Sequence, residues 1–363
     1  MDKRVSAIDA ISPAFNRTGR ILFQPFRLGV WARIGLIALT TGEFSGGSGA
    51  ANANIPAGNG GGPKEDFLAA ADPVADVLRD YFPWILAGVV ALLALGLLAI
   101  FISSVFRFIL LDAVLRDRPH ILGGWRRWQE PGGSYFLWQM GFLFASLAAL
   151  AVVVGLPILF AWRAGVFQQP DQHLALLIGG GILLFFVVIG LVLAVMLIDT
   201  FAKDFVVPLM ALENLGVFDA WRRLLPLLAA EKLAYTGYIL IKIVLTVGSA
   251  ILFGIINLIV LLVLFVVLGI AGAAIIIGGM AAGLEWNPTT VLIAVAAGSI
   301  ALGALLYLIS FISSPAVVFF QSYALHFLGG RYPLLEAQLN QPLGGLSPSP
   351  ATSPPPTLAP STP

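Results

Sequence analysis

The sequence predicts an all-α protein, a polytopic bundle of helices that crosses a membrane about six times. Two observations predict this class. The chain has 363 residues, of which 59% are hydrophobic and only 11% are charged, whereas soluble domains carry about 25% charged residues. Several apolar stretches also reach the roughly 20 residues that a helix needs to cross hydrocarbon. Because the bilayer core offers backbone groups no water, unbroken stretches of this length are expected to be helices.

The six predicted spans differ in how clearly hydropathy defines them. The second to fourth are long apolar runs, whereas the first is short and carries Arg33. The fifth begins a run of 52 apolar residues, which is too long for one span. Its glycines leave two interpretations open, two spans or one span and a re-entrant piece. An even total number of spans, which the repeat below requires, predicts that the part from Gly269 to Gly283 dips into the membrane and returns. The spans are expected at about 28–42, 83–111, 135–162, 173–198, 233–268 and 290–312.

A threefold internal repeat supports this count. A basic-aromatic motif precedes an apolar stretch three times, as Ala14-Phe15-Asn16-Arg17, Gly124-Trp125-Arg126-Arg127 and Ala220-Trp221-Arg222-Arg223. A phenylalanine motif follows spans at nearly the same spacing, as Phe101-Ile102-Ser103-Ser104, Phe201-Ala202-Lys203-Asp204 and Phe311-Ile312-Ser313-Ser314. We interpret the chain as three pseudo-repeated helical hairpins, each preceded by a basic segment at the membrane interface.

Charge placement predicts the orientation. Of the 20 Lys and Arg residues, 17 fall on one side of the predicted spans, and the other side holds only Lys64, Arg79 and Arg163. The positive-inside rule makes the basic side cytoplasmic. Both termini are then cytoplasmic. The net charge of +1 argues against a nucleic-acid partner.

Three segments are expected outside the hydrophobic spans. Residues 1–27 form an amphipathic segment that either anchors at the interface or docks a partner, with Phe15 facing lipid and Arg17 reaching lipid phosphates. Residues 43–82 form an outer Gly-rich loop with a short helix after Asp72-Pro73. Residues 336–363 form a disordered, Pro-rich cytoplasmic tail, which is either simply solvated or a ligand for a proline-recognising module.

The sequence offers no defensible catalytic, cofactor or metal site. The chain has no cysteine, and its three histidines have no second ligand at helical spacing. We therefore predict that the protein is not an enzyme and has no cofactor.

Three polar residues within or beside the spans are candidate functional residues: Asp199, Lys242 and Asn257. A charged side chain in hydrocarbon costs roughly 2.5 to 3.5 kcal/mol, so charged residues at such positions are expected to have a structural or functional role. Lys242 either extends back to the headgroups or pairs with Asp199 or Asp204. Asn257 either donates a hydrogen bond between helices or marks a helix break at a binding site.

The motifs 219–223 before a span and 204–208 after one, in alternating hairpins, resemble a known family. Over residues 10–335 the chain is similar to bacterial membrane proteins related to the membrane domain attached to some glycerophosphodiester phosphodiesterases. The resemblance implies a bacterial inner-membrane location. It implies no catalytic residues, because the phosphodiesterase chemistry of that family belongs to a separate soluble domain.

Two functional hypotheses follow. The first is a non-enzymatic membrane component, a scaffold that contacts lipid or membrane and envelope protein partners. The alternative is a transporter or channel for a small solute or lipid. A transporter needs a polar path to the membrane midplane, whereas a scaffold does not.

Overall fold

The computed structural model describes residues 5–43, 64–116, 121–281, 283 and 287–339. Within these ranges every regular element is a helix, which confirms the all-α class. The ten α-helices are α1 (Ile11–Phe23), α2 (Leu28–Thr41), α3 (Lys64–Arg116), α4 (Ile121–Arg163), α5 (Leu174–Phe201), α6 (Val207–Glu213), α7 (Val217–Ala230), α8 (Lys232–Ala281), α9 (Pro288–Gly329) and α10 (Pro333–Leu339). A 3₁₀ turn at Pro170–His173 precedes α5, and a π-turn at Ala202–Val206 joins α5 to α6.

Five long helical stretches are long and apolar enough to cross a membrane. They are Ile85–Arg116, Ile121–Arg163, Asp171–Glu213, Lys232–Ala281 and Thr289–Gly329. A sixth candidate is the pair α1 and α2, which meet at a bend of 119°. The predicted count of about six spans agrees with this arrangement.

The helices pack against one another mainly at one end, which we call the packed end and which comprises residues 5–41, 101–116, 121–138, 199–238 and 310–339. All residues of the hydrophobic core cluster lie in these ranges. The core forms there because the short helices α1, α2, α6, α7 and α10 surround the ends of the long ones. Burial of apolar side chains is worth about 25 cal/mol per Å², so this end carries most of the packing energy.

The rest of the long helices, which we call the distal end, has apolar side chains facing outward. In α3, every described side chain from Phe82 to Ala99 is exposed. The apolar stretch from Phe82 to Phe106 measures about 37 Å at 1.5 Å per residue. This length exceeds the ~30 Å of bilayer hydrocarbon, so a single helix of this kind is long enough to cross it.

Both ends of the described chain lie at the packed end. Arg331 donates a hydrogen bond to the carbonyl of Val5 at 3.0 Å, and Arg17 donates one to the carbonyl of Leu339 at 3.3 Å. Helices α1 and α2 precede the five long stretches, and α10 follows them.

The predicted first span at 28–42 corresponds to helix α2, which is a candidate for crossing only together with α1. It has 14 residues and measures about 21 Å. Its C-terminal neighbour Glu43 pairs with Arg107, only nine residues before the end of α3. The Gly-rich sequence at 44–63 and the Pro-rich tail from 340 onward lie outside the described residues.

Two further expectations about the long helices are wrong. Residues 269–281 do not turn back, because they continue α8 to Ala281 without a break. Glycine is common in membrane helices and did not mark a turn here. The short outer helix after Asp72 is not a separate element either, since these residues belong to the continuous helix α3.

Candidate functional site: an ion-pair cluster at the base of the apolar segments

Six charged side chains gather where the distal segments meet the packed end, and we call them the ion-pair cluster. Three are acids and three are bases, and they come from the end of α2, from α3, α5 and α8, and from the π-turn. The members are Glu43, Arg107, Asp199, Lys203, Asp204 and Lys242. The cluster is therefore neutral as a whole when all six groups are ionised.

Arg107 and Glu43 form the first pair. The Arg107 Nη1 atom donates to Glu43 Oε1 at 2.8 Å, and the arginine side chain is almost fully buried. One turn earlier in α3, the hydroxyl of Ser104 donates to Gln139 of α4 at 3.2 Å. These contacts join α2, α3 and α4 at one level of the bundle.

Asp204 is the acceptor at the centre of the second pair. Tyr238 donates its hydroxyl to Asp204 Oδ2 at 2.8 Å, and the ammonium of Lys242 donates to the same oxygen. Both donors lie on α8, one turn apart. A buried carboxylate needs such partners, because desolvation without them costs several kcal/mol.

The π-turn that carries Asp204 has a cause in the sequence. Pro208 lies four residues after Asp204, so it cannot donate the helical hydrogen bond to the carbonyl of Asp204, and its ring crowds that carbonyl. The helix widens over Ala202–Val206 before α6 begins. Such single π-turns occur frequently at functional sites.

Asp199 and Lys203 form the third pair, an i,i+4 contact along α5 and the π-turn. Lys242 thus contacts Asp204 and not Asp199, although the sequence allowed either acid. The interpretation that Lys242 extends to the headgroups does not apply, because its ammonium is held inside the bundle by Asp204.

Asn257 makes a contact separate from the cluster. Its side-chain amide Nδ2 donates to the hydroxyl of Ser313 on α9 at 3.3 Å. The helix α8 runs through this position without a break. Asn257 therefore links two helices, whereas its Oδ1 atom has no partner among the described residues.

Aromatic rings lie directly behind Asp204. Tyr238 stacks on Tyr323 with ring centroids 5.1 Å apart, and it packs against Phe327 at 4.6 Å and Phe205 at 5.0 Å. Aromatic pairs of this kind add about 0.5–1.5 kcal/mol each beyond the area they bury. They fix the tyrosine hydroxyl that binds the carboxylate.

The second and third basic-aromatic motifs have the same burial pattern. In each, the residue before the tryptophan is buried, the tryptophan is half-buried, and both arginines are exposed. The residues concerned are Gly124, Trp125, Arg126 and Arg127 in α4, and Ala220, Trp221, Arg222 and Arg223 in α7. Structure and sequence therefore agree on a repeat for these two motifs.

The first motif differs, and the expected contact of Arg17 with lipid phosphates is contradicted by its burial. Phe15 is exposed, but Arg17 is fully buried. Its guanidinium donates to the carbonyls of Val114 at 2.9 and 3.0 Å, Leu115 at 3.0 Å and Leu339 at 3.3 Å. It thus satisfies carbonyls at the ends of α3 and α10, which lack partners inside their own helices.

The phenylalanine motifs occupy matching positions in the bundle. The third residue after each phenylalanine, namely Ser104, Asp204 and Ser314, is buried at the packed end. In the first two motifs this residue contacts the following long helix, through Gln139 and Lys242 respectively. In the third motif the hydroxyl of Ser314 instead donates to the carbonyl of Ser310 within α9, so the interhelical contact occurs in two of the three units.

The described residues hold no group of three or more His, Cys, Asp or Glu side chains that could bind a metal ion. The arrangement can fix helices relative to one another and can hold charge at the base of the apolar segments. Long apolar helices around such a cluster define the class as an all-α protein with the features of a multi-pass membrane protein. The chain matches the family described as "Family of unknown function (DUF7544)" over residues 5–337, and it belongs to that family. No curated protein and no solved structure matches it.

Proposed function

We propose that this protein is a non-enzymatic membrane component, a scaffold that contacts lipid and membrane or envelope protein partners. The pairing within the ion-pair cluster carries this proposal. Glu43 neutralises Arg107, Asp199 neutralises Lys203, and Asp204 neutralises Lys242. Because each of these charges is paired within the chain, the cluster links helices and has no net charge with which to bind a charged substrate.

The membrane placement that we propose puts the packed end and both termini in the cytoplasm of a bacterium and the distal end across its inner membrane. Among the described residues outside 64–81, Arg163 is the one Lys or Arg of the distal end that does not belong to the ion-pair cluster. The positive-inside rule then assigns the packed end to the cytoplasm. The resemblance to the phosphodiesterase-associated membrane domain stays a prediction.

Cysteine accessibility tests this function, since the chain has no native cysteine. Single cysteines replace Ser104, Asn257 and Ser313, and inner-membrane vesicles of both orientations are treated with a small, charged, membrane-impermeant thiol reagent. The scaffold predicts that none of the three reacts from either face until the protein is denatured. Labelling of Asn257→Cys at a rate near that of an exposed cysteine would refute the scaffold and reveal a water path.

Two exposed positions at opposite ends serve as matched controls. Arg126→Cys reacts from the cytoplasmic face, and Arg163→Cys reacts from the other face. Labelling of both from the same face would overturn the proposed orientation without bearing on the scaffold.

A transporter or channel is the second candidate, favoured by buried polar atoms near the cluster. The hydroxyls of Tyr135, Ser310 and Tyr323 have no partner within the described part of the chain. Buried polar groups of this kind are often satisfied by water. The same cysteine experiment separates the two candidates, because a transporter must admit water to these helices.

A further inference from the structure

The two matching motifs present pairs of arginines to the outside of the packed end. In α7 the side chain of Arg222 is 83% exposed and that of Arg223 is 64% exposed. Arg126 and Arg127 of α4 are exposed as well, and the Arg127 guanidinium lies 4.7 Å from the ring centroid of Trp128. Each motif therefore offers two adjacent guanidinium groups at the surface.

The acids beside the α7 arginines neutralise them weakly. Arg222 lies 3.6 Å from Asp219, and Arg223 lies 3.5 Å from Glu213. The buried arginines are held more closely, with Arg107 at 2.8 Å from Glu43. Exposed pairs at the longer distances contribute little, so these arginines retain the capacity to bind an external anion.

The tryptophans place both arginine pairs at the level of the lipid headgroups. Trp221 packs on Trp138 of α4 at 6.0 Å, and Trp125 packs on Phe101 of α3 at 6.1 Å. Trp138 lies near the start of the apolar segment of α4, and Phe101 directly follows the exposed apolar stretch 82–99 of α3. Tryptophan is enriched at this boundary, and the adjacent arginines extend from it toward water.

Exposed apolar side chains accompany the arginines. Phe218 is 71% exposed and Leu225 is 55% exposed, and they lie one turn on either side of Arg222 along α7. Leu122 is 86% exposed just before the motif in α4. A surface that alternates arginine with large apolar groups matches a lipid, which presents an anionic phosphate next to acyl chains.

We propose that Arg126 with Arg127, and Arg222 with Arg223, form two equivalent binding sites for the phosphate headgroups of anionic phospholipids. The inference deepens the proposed function, on which it rests for the membrane placement. Guanidinium groups bind phosphate through paired, charge-assisted hydrogen bonds, and adjacent arginines strengthen this binding. The first repeat unit has no such site, because Arg17 is buried.

The test compares arginine variants of the full chain, purified in a neutral detergent and titrated with phosphatidylglycerol or phosphatidylcholine. Arg126→Gln/Arg127→Gln and Arg222→Gln/Arg223→Gln each remove one site, and a quadruple variant removes both. Native mass spectrometry counts the bound lipids, and thermal unfolding measures the shift in Tm. Ligands that bind only the folded state raise Tm in proportion to their binding free energy.

The wild-type chain retains two phosphatidylglycerol molecules that the quadruple variant loses, and each double variant loses one. The Tm of the wild-type chain rises with phosphatidylglycerol and not with phosphatidylcholine, and the Tm of each double variant rises by about half as much. High salt weakens the effect, because it screens exposed charges.

Arg20→Gln/Arg27→Gln is the matched control, since it removes two exposed arginines from the same end. An equal loss of bound lipid in this control would overturn the proposal in favour of diffuse attraction by net charge. An equal rise of Tm with inorganic phosphate would also overturn it, because the occupant would then be a soluble anion. Neither of these two outcomes would affect the cysteine accessibility experiment, which tests the proposed scaffold function separately.

Discussion

Arg17 of α1 donates hydrogen bonds to the carbonyl of Val114, which lies 97 residues away in the last turn of α3. A fully buried arginine therefore serves as the terminal cap of another helix. The same guanidinium reaches Leu339, the last residue of α10. One side chain thus connects the first, third and last helices of the described chain.

Replacement of Arg17 by Met is expected to destabilise the protein by about 2–4 kcal/mol, because buried carbonyls then lose charged donors. Thermal unfolding in detergent measures the change. Arg20→Met is the control, since Arg20 is exposed one turn further along α1, and it should change stability by less than about 0.5 kcal/mol. Similar effects of the two substitutions would show that Arg17 does not cap α3.

The pair Asp204 and Lys242 should show strong coupling in a double-mutant cycle. Lys242→Met alone leaves Asp204 buried without its cation, which costs about 3–5 kcal/mol. Asp204→Leu combined with Lys242→Met should cost about 1–3 kcal/mol less than the sum of the single changes.

The exposed pair of Asp219 and Arg222 is the control for that cycle, and its coupling should be no more than about 0.5 kcal/mol. Chemical unfolding of the four variants of each pair gives both coupling energies. Equal coupling in the two pairs would mean that Asp204 and Lys242 are not a desolvated pair.

Gly132→Ala is expected to push α4 away from α3. A Cβ atom at Gly132 would lie 2.7 Å from Val105 Cγ2 and 2.9 Å from Val105 Cα. Such overpacking costs about 1–3 kcal/mol. At the adjacent Gly133 the nearest atom is 3.9 Å away, in the Phe101 ring, so Gly133→Ala should be neutral or stabilising by up to about 1 kcal/mol. The two variants are compared by their Tm, and a lower Tm for Gly132→Ala than for Gly133→Ala is the result expected if α3 and α4 are in close contact at Gly132.

Gly35→Ala should loosen the contact between α2 and α9. The added Cβ atom would lie 2.9 Å from Phe311 Cα, which is backbone and cannot rotate away. We expect a loss of about 1–3 kcal/mol and faster proteolysis between α1 and α2. Gly29→Ala on the same helix meets nothing within 4 Å. If both variants resist protease as the wild type does, α2 is not held against Phe311.

Hydropathy was sufficient to predict the fold class and the long apolar helices, because hydrocarbon length and backbone hydrogen bonding leave few alternatives. Hydropathy was insufficient where tertiary contacts determine the position of a side chain. The sequence predicted that Arg17 contacts lipid phosphates. A local pattern does not show that the C-terminal ends of α3 and α10 lie beside Arg17 in the folded protein. The parity of the repeat predicted a turn at the glycines of α8, although membrane helices accommodate glycine.

The ion-pair cluster was only partly predictable. Asp199 and Lys242 were identified as polar residues beside apolar segments, but Glu43, Arg107 and Lys203 were not among the candidates. The choice of Asp204 over Asp199 depends on the π-turn, which shifts the helical register before α6. Pro208 was the signal for that turn, since a proline disrupts the hydrogen bond to the fourth residue before it.

The contact of Val5 with Arg331 spans 326 positions of the chain, and it has a consequence during synthesis. Ribosomes add about 5–20 residues per second, so the N-terminal segment waits on the order of tens of seconds for its final neighbour to be made. Throughout that interval Ile21, Leu22 and Arg17 lack the neighbours that the C-terminal helices supply in the folded protein. The contacts of the N-terminal segment with Arg331 and Leu339 can therefore form only after almost the whole described chain has been made.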